Sequence, residues 1–322
     1  MAWQPLTDAS QYGHFLGDLP ALLVGGLVMG AHRVTAGALD ATPEVGASAR
    51  DAMLSSPTMD QPGTVSPDEL KSIGEALASL LRLRTLPFAM KLFEDVAAAE
   101  SIPKVRRPAL GKCFTLCQIV TQCRIGGQTL VVTAENVRDN CAAIAGLIPP
   151  PADHFSGERM AGVWFANVEA ASQHQRQMPR VSAGRFRALV MSPLRTARLS
   201  NPDVVLFYAT PAQAILFVNG LQHHEYQRYD FSITGESACA DSWGRALSTG
   251  RTSISIPCFA ERRYGGVAED ELLLAMPAQE LARGVRGLEA LSAVGLRYPI
   301  LPYGASQDPS DGMAVSYGEK PR

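Results

Sequence analysis

Six cysteines are the residues best suited to chemistry in this chain, and four of them share a local context. Cys117 stands in Thr-Leu-Cys-Gln, Cys141 in Asp-Asn-Cys-Ala, Cys239 in Ser-Ala-Cys-Ala-Asp and Cys258 in Ile-Pro-Cys-Phe, each beside small or turn-forming residues. Thiolates are soft ligands. Four of them gathered by a fold would suit the irons of a 4Fe–4S cluster, tuned by the surrounding hydrogen bonds and low dielectric. By subtraction the intervals are 24, 98 and 19 residues, so no C-x-x-C pair gives the compact signature of a zinc ribbon or ferredoxin. On spacing alone, cluster ligands and ordinary buried thiols both stay open. Cys113, one helical turn before Cys117, is a reserve ligand, and Cys123 falls outside the set.

Three charged residues extend this candidate site. Lys91 is the charged member of the apolar run Pro87-Phe88-Ala89-Met90-Lys91-Leu92-Phe93; it either faces solvent from an alternating strand or turns a cation into an anionic pocket. Glu135, at the end of a β-branched run, is a candidate general acid or base. Arg262, in Glu261-Arg262-Arg263 after Cys258, offers a planar fork to a carboxylate, the alternative being a solvated charged turn. Glu236 and Asp241 flank Cys239 in a loop of small residues that permits close backbone approach to a cofactor. The histidines suggest neither zinc nor a triad: His14 and His32 lie in an N-terminal appendage, His154 and His174 in polar stretches, and the adjacent His223 and His224 diverge. No dinucleotide, phosphate-loop, H-E-x-x-H or G-x-S-x-G signature is present.

The elements that must position these residues follow from pattern. Ser66-Pro67-Asp68-Glu69 opens a helix, with Leu70, Ile73, Leu77, Leu80 and Leu81 at helical spacing. Strands are expected over 87–93, 129–133, 162–166, 188–192, 204–209 and 253–257, and helices over 112–125, around Cys141, and over 211–220, 270–276 and 277–294. The alternation indicates an α/β or α+β domain, a mixed sheet flanked by helices, over residues 66–306. An extension over 1–65 precedes it and a tail over 307–322 follows. Composition narrows the function classes. Among 322 residues, 46% are hydrophobic and 19% charged, which excludes general disorder; a net charge of −2 without a basic run argues against nucleic acid. The apolar stretch Leu19–Ala31 is too short to span a membrane, and without a basic n-region it does not read as a signal peptide, so a cytoplasmic protein is expected.

Several stretches together resemble a known family. Arg84-Thr85-Leu86-Pro87-Phe88-Ala89-Met90-Lys91-Leu92, Cys117-Gln118, Ala134-Glu135-Asn136 followed by Cys141, and Asn201-Pro202-Asp203-Val204-Val205 with Pro211-Ala212-Gln213 form its first part. Cys239, Pro257-Cys258, Asp270-Glu271 and Arg297-Tyr298-Pro299-Ile300 complete it. The set, over roughly 66–301, resembles the uncharacterised family known as domain of unknown function 169. The resemblance matches the family's four cysteines to Cys117, Cys141, Cys239 and Cys258, although Ala142-Ala143 stand where the family usually has Pro-Gly. It implies a fold and a site but no reaction. The resulting expectation is an iron–sulfur enzyme, a 4Fe–4S oxidoreductase or lyase, with Lys91, Glu135 and Arg262 beside a small anionic substrate, carboxylated or aromatic. Reduction is favoured over dehydration. An electron-donor protein and a second copy of the chain are the partners to test. The competing readings are a thiol- or cluster-based redox sensor and a cofactor-free small-acid-binding domain.

Overall fold

The computed structural model describes residues 65–108, 113–229, 231 and 233–300. All of the expected N-terminal extension except Val65, and the tail over 307–322, lie outside the described residues. Helix α1 (Pro67–Leu81) starts as its sequence dictates: the Ser66 hydroxyl accepts a hydrogen bond from the Glu69 N–H at 3.2 Å, and Pro67 occupies the first turn. Strand β1 (Phe88–Phe93), the short α2 (Val96–Glu100), α3 (Leu116–Arg124), β2 (Leu130–Thr133) and α4 (Asp139–Ile144) follow. Then come α5 (Val168–Gln177), β3 (Ala188–Pro193), β4 (Val204–Ala209) and α6 (Pro211–Gln222). After a π-helical turn (Ala240–Gly244), the chain adds α7 (Arg245–Thr249), β5 (Ser253–Ser255), α8 (Phe259–Gly265), β6 (Leu272–Met276) and α9 (Ala278–Ala293).

The six strands form one sheet in the order β2-β3-β1-β4-β6-β5, every adjacent pair antiparallel. The mixed character expected of the sheet is limited to a parallel bridge from Arg106 to Leu130 on β2. The class is α+β. Alternation along the strands separates two cores. Phe88, Met90, Leu189, Met191, Leu206 and Tyr208 face α3, α4 and Trp243, whereas Ala89, Val190, Val205, Phe207 and Leu274 face α1, α6 and α9. Burying each large side chain contributes about 1.5–3 kcal/mol, so both faces drive folding. On the second face α6 and α9 approach closely because Gly220, Gly284 and Gly287 meet; a Cβ on Gly287 would stand 2.5 Å from the Gly220 carbonyl carbon.

Two sequence expectations fail here. The 270–276 segment is a strand, because a five-residue apolar run is too short to hold a helix alone and gains a buried place between β4 and β5. The 162–166 segment is a turn: Gly162 takes φ +76° and the N–H groups of Val163, Trp164 and Phe165 fold back onto the Met160 carbonyl. No described helix is long and apolar enough to cross a membrane.

Candidate functional site: a cysteine-lined cavity

Four separate loops and helix ends bring the cysteines together on the first face of the sheet. Cys117 lies in the first turn of α3, whose start is fixed by a capping box between Thr115 and Gln118. Cys141 lies near the start of α4, and its Sγ accepts the Leu116 N–H at 3.5 Å, which places it against the N-terminus of α3. Cys258 is the residue before α8, its backbone extended. Cys239 precedes the π-helical turn, and its loop is tied by buried Asp241. That carboxylate accepts the Thr234 N–H at 2.7 Å, the Thr234 hydroxyl at 2.8 Å and the Gly235 N–H at 3.4 Å. Gly235 takes φ +105°, a conformation that a residue with a Cβ adopts at a cost. Strand β5 pins the same loop, with the Ser255 hydroxyl donating to the Ala238 carbonyl at 3.1 Å and the Ser253 hydroxyl to the Asp241 carbonyl at 2.5 Å.

All four thiols, together with exposed Cys113, line one cavity of about 570 Å³. All six cysteines of the chain are free, and Cys123 is buried in the core away from this lining. Burial pushes the Cys117, Cys141, Cys239 and Cys258 thiols above their ordinary range. For Cys117 and Cys239 the Glu261 carboxylate and the neighbouring thiols push further in the same direction. The Leu116 N–H and the Arg138 guanidinium act the other way on Cys141. Four thiols held neutral in one cavity are a donor set for a soft cation, which would compensate the charge of their thiolates. Among the described residues no three His, Cys, Asp or Glu side chains stand close enough to share one metal ion.

A buried polar network holds two of the cysteine-bearing elements in register, and the sequence gives little sign of it. Arg124, at the end of α3, is 1% exposed; its Nη2 donates to the Gly265 and Gly266 carbonyls at 2.9 and 2.8 Å, and its guanidinium lies 4.2 Å from the Tyr208 ring. Its Nη1 is 3.7 Å from Glu271, which accepts the Ala268 N–H at 2.9 Å. Thr121 adds a hydrogen bond to the Gly265 carbonyl at 2.7 Å. The end of α3 thus grips the end of α8. Beside this clamp, Tyr208 donates to Glu261 at 2.7 Å, leaving the other carboxylate oxygen buried and without a partner; burial pushes the Glu261 carboxyl up.

The other residues expected in the site are placed differently. Lys91 shares the sheet face of Ala89 and Phe93, opposite the cysteines, and its ammonium donates to the Ser200 carbonyl at 2.6 Å. Strand alternation sends it there. Glu135 sits in the turn after β2, its side chain 85% exposed and 4.0 Å from Arg107. Arg262 lies one turn into α8 but donates to the Ala268 carbonyl at 2.6 Å. None of the three lines the cavity. Glu236 does, and so do Arg138, Arg159 and His154. His154 and His174, read from sequence as members of polar stretches, are each 6% exposed. The 151–178 segment folds over this face, with Phe165 against His174 and Arg180 over Phe155.

Fold and cavity define an α+β protein with cysteines from distant parts of its sequence gathered at one pocket. The chain belongs to the family domain of unknown function 169, described as "Uncharacterised ArCR", whose model matches residues 76–287 and so takes in all four cysteines. It is also similar to "Uncharacterized protein MJ0308" of Methanocaldococcus jannaschii, 23% identical over 226 residues that cover 69% of this chain and 94% of that protein. No solved structure matches.

Proposed function

We propose that this chain is an iron–sulfur protein, with Cys117, Cys141, Cys239 and Cys258 holding a 4Fe–4S cluster, and that it reduces a small anionic substrate bound in the same cavity. The observation that carries this reading is the convergence on one cavity of four thiols spread over 141 residues of sequence (258 minus 117). When bound, such a cluster supplies single electrons at a potential set by its surroundings. The chain's own residues do the rest. Leu116 N–H and Arg138 offset the charge at Cys141, and the α3–α8 clamp of Arg124 and Thr121 fixes the elements that carry Cys117 and Cys258. The half-buried pocket limits water around the reacting groups. With Lys91, Glu135 and Arg262 turned to other partners, the roles first given to them pass to Arg138 for charge and to Glu236 or His154 for proton movement. The reading places the protein in the cytoplasm, where six free thiols stay reduced, with an electron-donor protein as partner.

The test is iron and acid-labile sulfide content, with an absorption spectrum, on protein purified without oxygen and compared with Cys258→Ala. About four irons and four sulfides per chain, lost in the variant, support the assignment. Colourless, iron-free protein that folds normally in both forms overturns it in favour of a cofactor-free binding domain.

A further inference from the structure

The cavity is larger than a cluster needs. Its volume of about 570 Å³ falls within the range of pockets that enclose whole organic ligands, and an eight-atom cluster fills only a fraction of it. What lines the remainder has a distinct chemistry. Trp164 and Tyr264 both line it while remaining 46% exposed, and the Trp164 indole is held edge to face against Phe259 at 5.7 Å. Large aromatic side chains left half-exposed around a cavity are surfaces for a flat apolar partner. Met160, Met178 and Ile144 continue the apolar lining, and thioether side chains adapt readily to a ring.

The polar lining specifies charge. Arg138 is exposed at the cavity, and no hydrogen bond or ion pair to its guanidinium is seen among the described residues, in contrast to Arg159, whose Nε is paired with Asp153 at 2.5 Å. Asp139 and Glu236 also line the cavity, so two acidic side chains stand against two arginines. With Arg159 held by Asp153, Arg138 is the lining cation left for an anionic group, and the two carboxylates weigh against a polyphosphate. Two buried atoms of lining residues, His154 Nε2 and Gln175 Oε1, have no partner either; the residues are 6% and 3% exposed. Buried polar atoms without partners are few in native proteins, and their concentration here marks a wall shaped to receive a polar ligand.

We propose that the cavity binds, beside the thiols, a planar aromatic monocarboxylate, its ring against Trp164 and Tyr264 and its carboxylate on Arg138. This deepens the reading above by naming its substrate class, and it rests on that reading for the reaction but not for the binding.

Binding is measured by calorimetry and tryptophan fluorescence on the full chain, in iron-replete and iron-free preparations, with benzoate, cyclohexanecarboxylate, benzyl alcohol and inorganic phosphate as probes. Benzoate is expected to bind saturably and about fivefold more tightly than the non-planar acid. Loss of the carboxylate, or Arg138→Gln, is expected to weaken binding about tenfold or more. Trp164→Leu weakens it about fivefold, whereas Trp164→Phe, which keeps a ring, retains most of it. Equal binding of benzoate and cyclohexanecarboxylate, preference for phosphate, or indifference to both Trp164→Leu and Arg138→Gln in folded protein overturns the proposal. The two readings fail separately. Iron-replete protein that ignores benzoate overturns the ligand class and keeps the cluster, while iron-free protein that binds benzoate through Trp164 and Arg138 keeps the pocket and removes the cluster.

Discussion

Replacing Arg124 by Met tests whether the buried clamp between α3 and α8 supports the cysteine site. The substitution removes three charge-assisted hydrogen bonds, to the Gly265 and Gly266 carbonyls and the Thr85 hydroxyl, and the cation over the Tyr208 ring. It also leaves Glu271, 4% exposed, without its 3.7 Å guanidinium. Each bond from a charged donor contributes about 1.5–3 kcal/mol, and breaking a buried pair by deleting one partner typically costs about 3–5 kcal/mol in all. Met recovers some packing volume but none of the polar partners, so we take about 3–5 kcal/mol as the expected loss. With a urea dependence of about 3 kcal/mol per molar for a chain of this size, the unfolding midpoint falls by about 1–1.7 M. Far-UV circular dichroism of wild type, Arg124→Met and Arg124→Lys reads this directly. Lys keeps the charge but lacks the fork that reaches two carbonyls and should lie between the other two. Because the clamp holds α8, anaerobically purified Arg124→Met should also retain less iron. A midpoint shift below about 0.3 M at unchanged slope would refute the assignment of Arg124 as the clamp.

Other perturbations separate the two faces of the sheet. Gly287→Ala, where the new methyl would collide with the Gly220 carbonyl, should destabilise by about 1–3 kcal/mol in a thermal scan, although Ala is the better helix former. Iron content should not change, and a more stable variant would contradict the close α6–α9 approach. Glu261→Gln should raise the melting temperature at neutral pH and have little effect near pH 4. The folded-state pKa of Glu261 is raised by burial, so its favourable contribution is present below the unfolded value of 4.5 and is lost as pH rises through the folded value. Parallel pH profiles for the two proteins would count against a strained carboxylate there. Cys113→Ser should keep full iron, since this exposed thiol is surplus to a four-cysteine set; loss of iron would mean that the ligands have been misassigned.

Local signals made much of the fold legible. The Ser66-Pro67 start of α1, the apolar strands β1, β3 and β4 and the helix after Thr210 follow from caps, proline and β-branched runs, and the structure places them within a few residues of expectation. The segment around β6 was misleading because Leu-Leu-Leu-Ala-Met has helical propensity, and only its pairing with β4 and β5 decides against a helix. The cysteines were legible as a set, because four stand outside aliphatic runs. Their charged neighbours were not. Lys91 turns on strand alternation, Glu135 on an exposed turn, and Arg262 on a carbonyl six residues ahead. Conversely, Arg124 closes an apolar helix and looks like an ordinary solvent-facing basic end until the α8 carbonyls arrive from 141 residues later.

The distribution of buried polarity carries the functional argument further than any one residue. Polar groups removed from water need partners, and on the second face of the sheet Gln213 finds several, although Arg283 Nε on α9 has none. Gln213, 3% exposed, donates to the Leu81 carbonyl at 2.7 Å and accepts the Thr210 N–H at 2.7 Å. On the cysteine face the rule is broken repeatedly. His154, Gln175, Arg180 and Glu261 each bury a side-chain atom without a hydrogen-bond partner, close in sequence or space to the cavity or its cysteines, and His174 Nε2 has only Glu236 at 3.7 Å. Uncompensated atoms lower stability wherever they occur, and more of them lie on this side of the sheet than on the other. If the proposed cluster and its substrate supply those partners, loading the cavity should raise the melting temperature of the protein, whereas a surplus of unpaired atoms that serves no ligand would leave it unchanged.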